Sequence, residues 1–290
     1  MIKDSELIIN ADGSIFHLHM KPHELAQTVI LVGDPSRVDT VSSFFDNVKY
    51  QGQNREFVFK TGAFMGKDFT VLSTGIGTDN IDIVLTELDA LVNVDFQNRT
   101  IKSEKKSLDI IRLGTSGGLQ ANVPVGTFVV STKSIGFDGL LNYYENRDSI
   151  CDLEFEKAMV KSIGYLDSLA NPYVVDASES LLKVIVGSGD IIEGINISAP
   201  GFYGPQGRVV RLNLAMPNIN DKIQHFEYEG YKITNYEMES SAIYGLSKLL
   251  GHRAATVCTI IANRVVKDYC PDYKEYVKRM IEVVLIGLSK

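Results

Sequence analysis

Short apolar runs rich in β-branched residues alternate along the chain with segments of helical periodicity. These runs predict six strands. They are Thr28 to Val32, Phe69 to Ser73, Ile110 to Leu113, Thr127 to Val130, Lys183 to Val186 and Ala255 to Ile261. An alternation of strands and helices is typical of α/β proteins with a largely parallel sheet, so we predict that class.

Three segments carry apolar residues at the three-and-four spacing of a helix with one buried face. The first lies between Asp79 and Val94, the second runs from Ser240 to Leu250, and the third lies between Val277 and Leu288. The third segment predicts that a packed helix lies at the C-terminus. The polar stretch from Asp95 to Asp109 predicts a solvated loop or an extension of the first helix.

Glycine turns follow four of the predicted strands. They are Gly33-Asp34-Pro35, Thr74-Gly75-Ile76-Gly77, Gly114-Thr115-Ser116-Gly117-Gly118 and Gly187-Ser188-Gly189. In open α/β sheets ligands bind beyond the carboxyl ends of the strands, where glycine lets backbone N–H groups approach an anion. Ordinary turn formation explains any one of these turns. Four together favour a ligand site at that edge.

Composition and charge limit the classes of function. The chain has 290 residues, of which 44% are hydrophobic and 22% charged, and no Pro/Gly/Ser linker divides it, so we predict a single domain over residues 1–290. The net charge of −7 argues against general nucleic-acid binding. No apolar run approaches the roughly 18 to 20 residues that span a bilayer, and no secretory signal begins the chain. We therefore expect a cytoplasmic protein with no membrane partner.

Several common cofactor and metal motifs are missing. No GxGxxG opens a helix after a strand, and neither GxxxxGK[ST] nor HExxH occurs. The cysteines Cys151, Cys258 and Cys270 are odd in number and lack a CxxC pair, which suits reduced thiols. The histidines His17, His19 and His23 cluster near the N-terminus, where solvation is more common than ligation. We therefore predict no metal site.

Three arginines lie next to the glycine turns or in a polar segment between them. Arg37 follows the first turn, Arg112 precedes the third, and Arg55 lies in Gln53-Asn54-Arg55-Glu56-Phe57. A guanidinium group binds phosphate through a planar fork of donors, so three converging arginines could hold a dianion without a metal. Taken singly, each is more often a surface ion-pair partner.

Four segments together resemble the signature blocks of the nucleoside phosphorylase family of the NP-I type, and the match is closest to its uridine phosphorylases. The segments are Gly33 to Arg37, Ser73 to Gly77, Ile111 to Gly117 and Asn235 to Ser240, and the resemblance extends from Ile15 to Arg264. It implies a single-domain, three-layer α/β fold with a central mixed, partly barrel-like sheet flanked by helices.

The resemblance also implies roles for individual residues. The phosphate-binding set would be Gly33, Arg37, Arg55, Arg112 and Thr115, and the ribose-binding set His17, Thr115, Met238 and Glu239. Arg55 and His17 would come from a neighbouring subunit, which implies a homo-oligomer built from a dimer with shared active sites, with a hexamer as a larger assembly. Inorganic phosphate would be a co-substrate, and no cofactor is expected.

The chemistry of N-glycosidic cleavage fits these roles. Breaking the bond builds positive charge on the ribose and negative charge on the departing base, so a catalyst must stabilise both. Phosphate can attack C1′ and balance the sugar's charge, while Glu239 accepts hydrogen bonds from the 2′- and 3′-hydroxyls. A glutamate at a helix start is also favoured by the helix dipole alone, which is the competing interpretation of Glu239.

The segment Gly201 to Arg208 resembles the uracil-binding block of uridine phosphorylases. By that resemblance Phe202 stacks on the base, while Gln206 and Arg208 recognise its edge and act with Arg112 and Glu239 as the catalytic set. Ile260 and Ile261 would form an apolar wall. Purine-cleaving relatives usually carry an aspartate in the segment that here spans 259–264, which has no carboxylate. A Gly/Pro-rich surface loop is the alternative interpretation of 201–208.

Departures from the family pattern keep other activities open. Asn80 stands where bacterial uridine phosphorylases often carry a serine that binds a monovalent cation with the glutamate matching Glu56, so that cation site is doubtful. The segments 95–109 and 189–200 are expanded relative to short bacterial forms. The alternatives are a purine nucleoside phosphorylase or nucleosidase of the same fold, and a nucleoside sensor without catalysis.

Overall fold

The computed structural model describes residues 1–290 as one large sheet flanked by helices, with a separate two-stranded sheet. The strands are β1 Thr28–Val32, β2 Asn47–Asn54, β3 Phe57–Phe64, β4 Lys67–Ser73, β5 Val94–Asp95, β6 Thr100–Ile101, β7 Asp109–Gly118, β8 Phe128–Gly136, β9 Tyr173–Asp176, β10 Ile191–Ser198, β11 Glu227–Tyr228, β12 Tyr231–Glu237, β13 Arg253–Asn263 and β14 Asp268–Tyr269. The α-helices are α1 Ser36–Ser42, α2 Thr78–Asn93, α3 Leu153–Ile163, α4 Glu179–Val186, α5 Ile219–His225, α6 Ser240–Leu250 and α7 Lys274–Ser289.

The sheet is mixed and partly closed into a barrel. Its main path runs β11-β12-β10-β8-β13-β7-β1-β4-β3-β2, and β12 also pairs with β7. That additional pairing closes a ring of β7, β13, β8, β10 and β12. The strands β1, β4, β3 and β2 continue the sheet from β7 as an open extension. Pairs such as β1–β7 and β10–β8 are parallel, whereas β12–β7 and β13–β8 are antiparallel. The predicted mixed, partly barrel-like sheet is confirmed.

Helices cover both faces of the sheet and bury two large apolar cores. Side chains of successive strand residues point to opposite faces. In β1, Val29 and Leu31 accordingly join the core beneath α2 and α6, while Ile30 and Val32 join the core beneath α1, α4 and α7. A third core packs α3 and α5 against the other end of the barrel. The result is a layered α/β fold whose strand ends are held on both sides.

The sequence-based elements agree with the structure at most positions. β1 has the predicted bounds, and the predicted helices correspond to α2, α6 and α7. The segment Asp95 to Asp109 contains the second strand of a small antiparallel hairpin, β5–β6, so it is neither a bare loop nor a helix extension. No helix is long and apolar enough to cross a membrane.

The strand predicted at Lys183 to Val186 is wrong, because these residues end helix α4. Leu181 and Ile185 are buried one helical turn apart, and an apolar run this short cannot distinguish a strand from a buried helical turn. Gly187-Ser188-Gly189 therefore follows a helix. The third glycine segment, Gly114 to Gly118, is also not a turn, since it forms the second half of β7.

Candidate active site

The end of β1 lies beside the middle of β7 at one corner of the site. The two strands are parallel and Leu31 pairs with Arg112, so Gly33 comes to lie beside the arginine. A Cβ at Gly33 would lie 3.4 Å from the carbonyl oxygen of Gly75 and 3.9 Å from Nη1 of Arg112. A side chain at this position would therefore contact the guanidinium group of Arg112.

Arg112 is buried and held by two carboxylates. Its Nε donates to Glu237 Oε2 at 3.3 Å, and its Nη2 donates to the carboxylate of Glu239. The side chain is only 6% exposed, and Nη1 has no hydrogen-bond partner. An unpaired buried donor is costly unless something satisfies it. Nη1 of Arg112 is therefore a buried donor close to Gly33 that has no partner within the chain.

Arg37 brings a second positive charge to the same corner. It lies in the first turn of α1, and its Nη1 donates to the carbonyl oxygen of Leu113, the residue after Arg112, at 3.2 Å. Burial, and then the charge of Arg112, lower the pKa of Arg37 below its ordinary value. Thr115 follows on the same strand and is half-buried. Two neighbouring guanidinium groups beside glycine backbone are chemically suited to bind an anion.

Glu239 caps the start of α6 and lies beside this corner. Its Oε1 accepts the N–H of Gly77 at 2.8 Å, and its Oε2 accepts Arg112. Gly77 has φ +103°, a conformation that favours glycine. Burial raises the pKa of Glu239. The positive charge of Arg112 opposes this increase, whereas the negative charge of Glu237 adds to it. Each carboxylate oxygen keeps a lone pair for another donor, so Glu239 can accept hydroxyls. Met238, which precedes it, is half-buried.

Glu237 orients Arg112 but was not among the predicted site residues. Its carboxylate accepts Arg112, the hydroxyl of Ser198 and the backbone N–H groups of Glu239 and Ser240. The residue is 3% exposed. The sequence did carry a signal, since an acidic residue ends a buried strand two positions before Glu239.

A second group of side chains lies around Gln206. Its Oε1 accepts Nη1 of Arg208 and Nη2 of Arg264, each at 2.7 Å, and Gln206 is buried. The guanidinium carbon of Arg208 lies 3.7 Å from the ring centroid of Phe202. Gln206 Nε2 makes no hydrogen bond within the chain. Because both arginines occupy Oε1, the amide presents Nε2 as a free donor.

Arg264 and Tyr236 join this group and were missed as site residues. Arg264 lies over the ring of Tyr236 at 4.9 Å, and its Nε lies 3.6 Å from a Cβ built at Gly117. Burial and the charge of Arg208 lower the pKa of Arg264 to about 10. Gly117 pairs with Tyr236, the residue before Glu237. The Gln206 group therefore adjoins the strands that carry Arg112 and Glu237.

The two isoleucines of the predicted apolar wall have different environments. Ile260 is fully buried in a small cluster with Val123 and Val129, whereas Ile261 is half-buried. Asn263 is buried and donates to the carbonyl oxygens of Gln120 and Val123. This asparagine therefore has a structural role at the end of β13.

Arg55 and His17 lie together at another corner. Arg55 is exposed at the turn between β2 and β3, with φ +54°. His17 Nδ1 lies 2.6 Å from Glu87, and Asn54 donates to the carbonyl oxygen of His17 at 2.9 Å. Neither side chain contacts Arg112 or Glu239 within the chain. Glu56, next to Arg55, accepts Asn80 Nδ2 at 3.3 Å.

Comparison with known proteins shows the family of the chain. The family model of the phosphorylase superfamily matches residues 27–285. The chain belongs to this superfamily. The uridine phosphorylase of Thermococcus kodakarensis is 27% identical over 89% of this chain and 80% of its own length. The guanosine phosphorylase of Halorubrum lacusprofundi is 26% identical over 94% and 97%, respectively. The superfamily confirms the resemblance seen in the sequence, and its members differ in the base they are named for.

A solved structure supports the same assignment. The Trypanosoma brucei nucleoside phosphorylase, described as showing uridine phosphorylase activity, superposes with a TM-score of 0.88 at 31% identity, covering 97% of this chain and 99% of its own. A uridine phosphorylase of Phytophthora capsici superposes with a TM-score of 0.75 at 19% identity over 97% and 96%, which shows the shared fold. The fold and superfamily are therefore established for this chain.

Proposed function

We propose that the protein is a uridine phosphorylase, a pentosyltransferase that reversibly converts uridine and deoxyuridine with phosphate to uracil and the pentose 1-phosphate. The observation that carries the proposal is the buried Arg112, held by two carboxylates with Nη1 unpaired beside Gly33 and Arg37. Hydrolysis by water has no need for such an anion site, whereas phosphorolysis does.

Each part of the site has a task in this reaction. Phosphate binds between Arg37 and Arg112, and one of its oxygens forms a bond to C1′ as the bond from C1′ to N1 breaks. The electron pair of the broken bond leaves on the base. Glu239 holds the ribose hydroxyls and faces the oxocarbenium-like charge of the transition state, so binding is strongest there. Thr115 and Met238 complete the wall around the sugar.

The Gln206 group supports a pyrimidine as the leaving base. Gln206 Nε2 is a free donor for a carbonyl oxygen, and Arg208 and Arg264 place two positive charges near it. Uracil presents two carbonyl oxygens and gains negative charge as it departs, which cationic donors stabilise. Two relatives with uridine phosphorylase in their descriptions add to this choice.

We further propose that the active unit is a dimer and that phosphate is the only molecule required besides the nucleoside. Arg55 is exposed without a partner in the chain, and His17 lies beside it. A second copy would let both residues enter the neighbouring site, with Arg55 as a third phosphate ligand. Gel filtration with light scattering tests this, because full activity in a monomer contradicts it.

The decisive experiment incubates the protein with uridine, with and without phosphate, and follows uracil release. Release that requires phosphate and yields ribose 1-phosphate is the expected result. Release of uracil and free ribose at the same rate without phosphate would establish a nucleosidase. No turnover of any nucleoside, with phosphate still bound, would establish a sensor.

A purine nucleoside phosphorylase is the second candidate. The guanosine phosphorylase relative is nearly as similar as the uridine phosphorylase and matches more of both chains. The same assay with guanosine and inosine separates the two, because a higher kcat/KM for either purine would replace uridine as the proposed substrate.

A further inference from the structure

A cavity of about 1060 Å³ adjoins the Gln206 group. It is bounded by residues of three segments, 137–138, 165–170 and 200–219. Arg208 is the only predicted site residue among its lining residues, and none of the phosphate or ribose residues lines it. A cavity of this size lies in the upper range for small-molecule sites, so it can hold a ligand of its own.

Aromatic and aliphatic side chains form most of the cavity wall. The rings of Phe137 and Tyr165 lie 5.1 Å apart, and Tyr203 and Met216 add further apolar surface. Eleven of its 18 lining residues are hydrophobic. Aromatic side chains pack well against flat rings. The wall therefore favours a ligand with an aromatic body.

The charges available in the cavity are positive. Arg208 and Arg211 line it, and Arg211 is exposed and forms no ion pair within the chain. Asp138 is the one carboxylate, and its oxygens already accept the hydroxyls of Tyr173 and Ser241 and a backbone N–H. Nη1 of Arg208 already donates to Gln206, whereas the guanidinium group of Arg211 remains free to bind an anionic substituent.

We propose that this cavity is a second ligand site for an aromatic anion, a ring system that carries a carboxylate, sulfonate or phosphate group. The ring packs among Phe137, Tyr165 and Tyr203, and Arg211 binds the anionic group. Arg208 belongs both to this cavity and to the Gln206 group, so the ligand would contact the side chain that faces the base. The binding itself does not depend on which nucleoside the enzyme cleaves.

The first experiment titrates the full-length protein with 8-anilino-1-naphthalenesulfonate, an aromatic anion whose fluorescence rises in apolar sites. We expect one saturable site and an affinity about three- to fivefold weaker in Arg211→Ala, as for loss of one partly exposed charge pair. Arg279→Ala is the matched control, because Arg279 is exposed on α7 and does not line the cavity. Equal affinity in the parent and Arg211→Ala would overturn the proposal.

The second experiment locates the probe. The protein has no tryptophan, so Leu169→Trp places a single tryptophan at the cavity and Met65→Trp places one on the exposed turn after β3. Both positions are at least two-fifths exposed, so both variants should fold. Energy transfer to the bound probe should be stronger from position 169. Equal energy transfer from both positions would overturn the proposal that the cavity is a separate ligand site. Displacement of the probe by uridine alone would also overturn it.

Discussion

Replacing Glu237 by glutamine tests how Arg112 is held. The carboxylate accepts hydrogen bonds from Arg112, the hydroxyl of Ser198 and two backbone N–H groups, all buried. Glutamine has nearly the same size but only one acceptor oxygen, and its NH₂ group must face some of these donors. Water does not readily replace the lost acceptor, because Glu237 is buried.

The expected losses follow from the bonds involved. A hydrogen bond to a charged group contributes about 1.5–3 kcal/mol, so the free energy of unfolding should fall by about that amount. In the active site the same change releases Arg112 from one of its two carboxylates. A comparable loss of transition-state stabilisation corresponds to a roughly 10- to 100-fold lower kcat/KM. Removing the acceptor entirely in Glu237→Ala should cost more, about 3–5 kcal/mol of stability.

Urea denaturation measures the first effect, and initial rates with varied uridine and phosphate measure the second. Glu156→Gln is the matched control, because Glu156 is also buried and accepts Arg147 at 2.8 Å and the N–H of Val174 at 3.0 Å, away from the site. It should lose stability and keep its kcat/KM. If Glu237→Gln loses stability but keeps the parent kcat/KM, Glu237 has only a structural role and the reasoning is refuted.

Three further predictions concern the neighbours of this cluster. Arg37→Ala removes one of the arginines proposed to bind phosphate and should raise the KM for phosphate about 10- to 100-fold. Initial rates would measure this, and an unchanged KM would remove Arg37 from the phosphate site. Gly77→Ala strains a backbone at φ +103° and displaces the N–H that donates to Glu239. The free energy of unfolding should therefore fall by about 1–3 kcal/mol, and the KM for uridine should rise. Parent values of both quantities would contradict this prediction. Glu239 must be ionised to accept hydroxyls, and burial raises its pKa above the ordinary value of 4.5. As the pH is lowered, kcat/KM should therefore begin to fall while the pH is still above 4.5. Full activity at pH 4.5 would contradict this prediction.

Local patterns predicted the main body of the fold. The helices α2 and α7 carry long, regular apolar periods, and β1 is a short continuous apolar run. The structure places all three where these patterns indicate. Strand β2 was missed because it is largely exposed and lacks a buried face. The four residues from Lys183 to Val186 had too little length to show a helical period, so α4 was mistaken for a strand.

The site was predictable where its residues occur in compact motifs. The structure brings together Gly33, Arg37, Arg112 and Glu239, which stand in three short segments of the sequence. The hydrogen bond from Arg264 to Gln206 was not predictable in the same way. The two residues are 58 positions apart, and only the folded side-chain geometry brings them together. Roles for Arg55 and His17 depend on a second chain and stay predictions.

The closure of the barrel has a consequence for how the protein acquires activity. Arg112 and Glu237 are 125 residues apart in sequence, and they meet because β12 returns to pair with β7 at Gly117 and Gly118. Contacts of such long range form slowly, since much chain must be ordered first. Phosphate affinity should therefore be the last native property to return on refolding, after the helices have formed. Because phosphate would bind only the closed barrel, it would stabilise the native state by mass action. The co-substrate would then also favour the folded form of the enzyme.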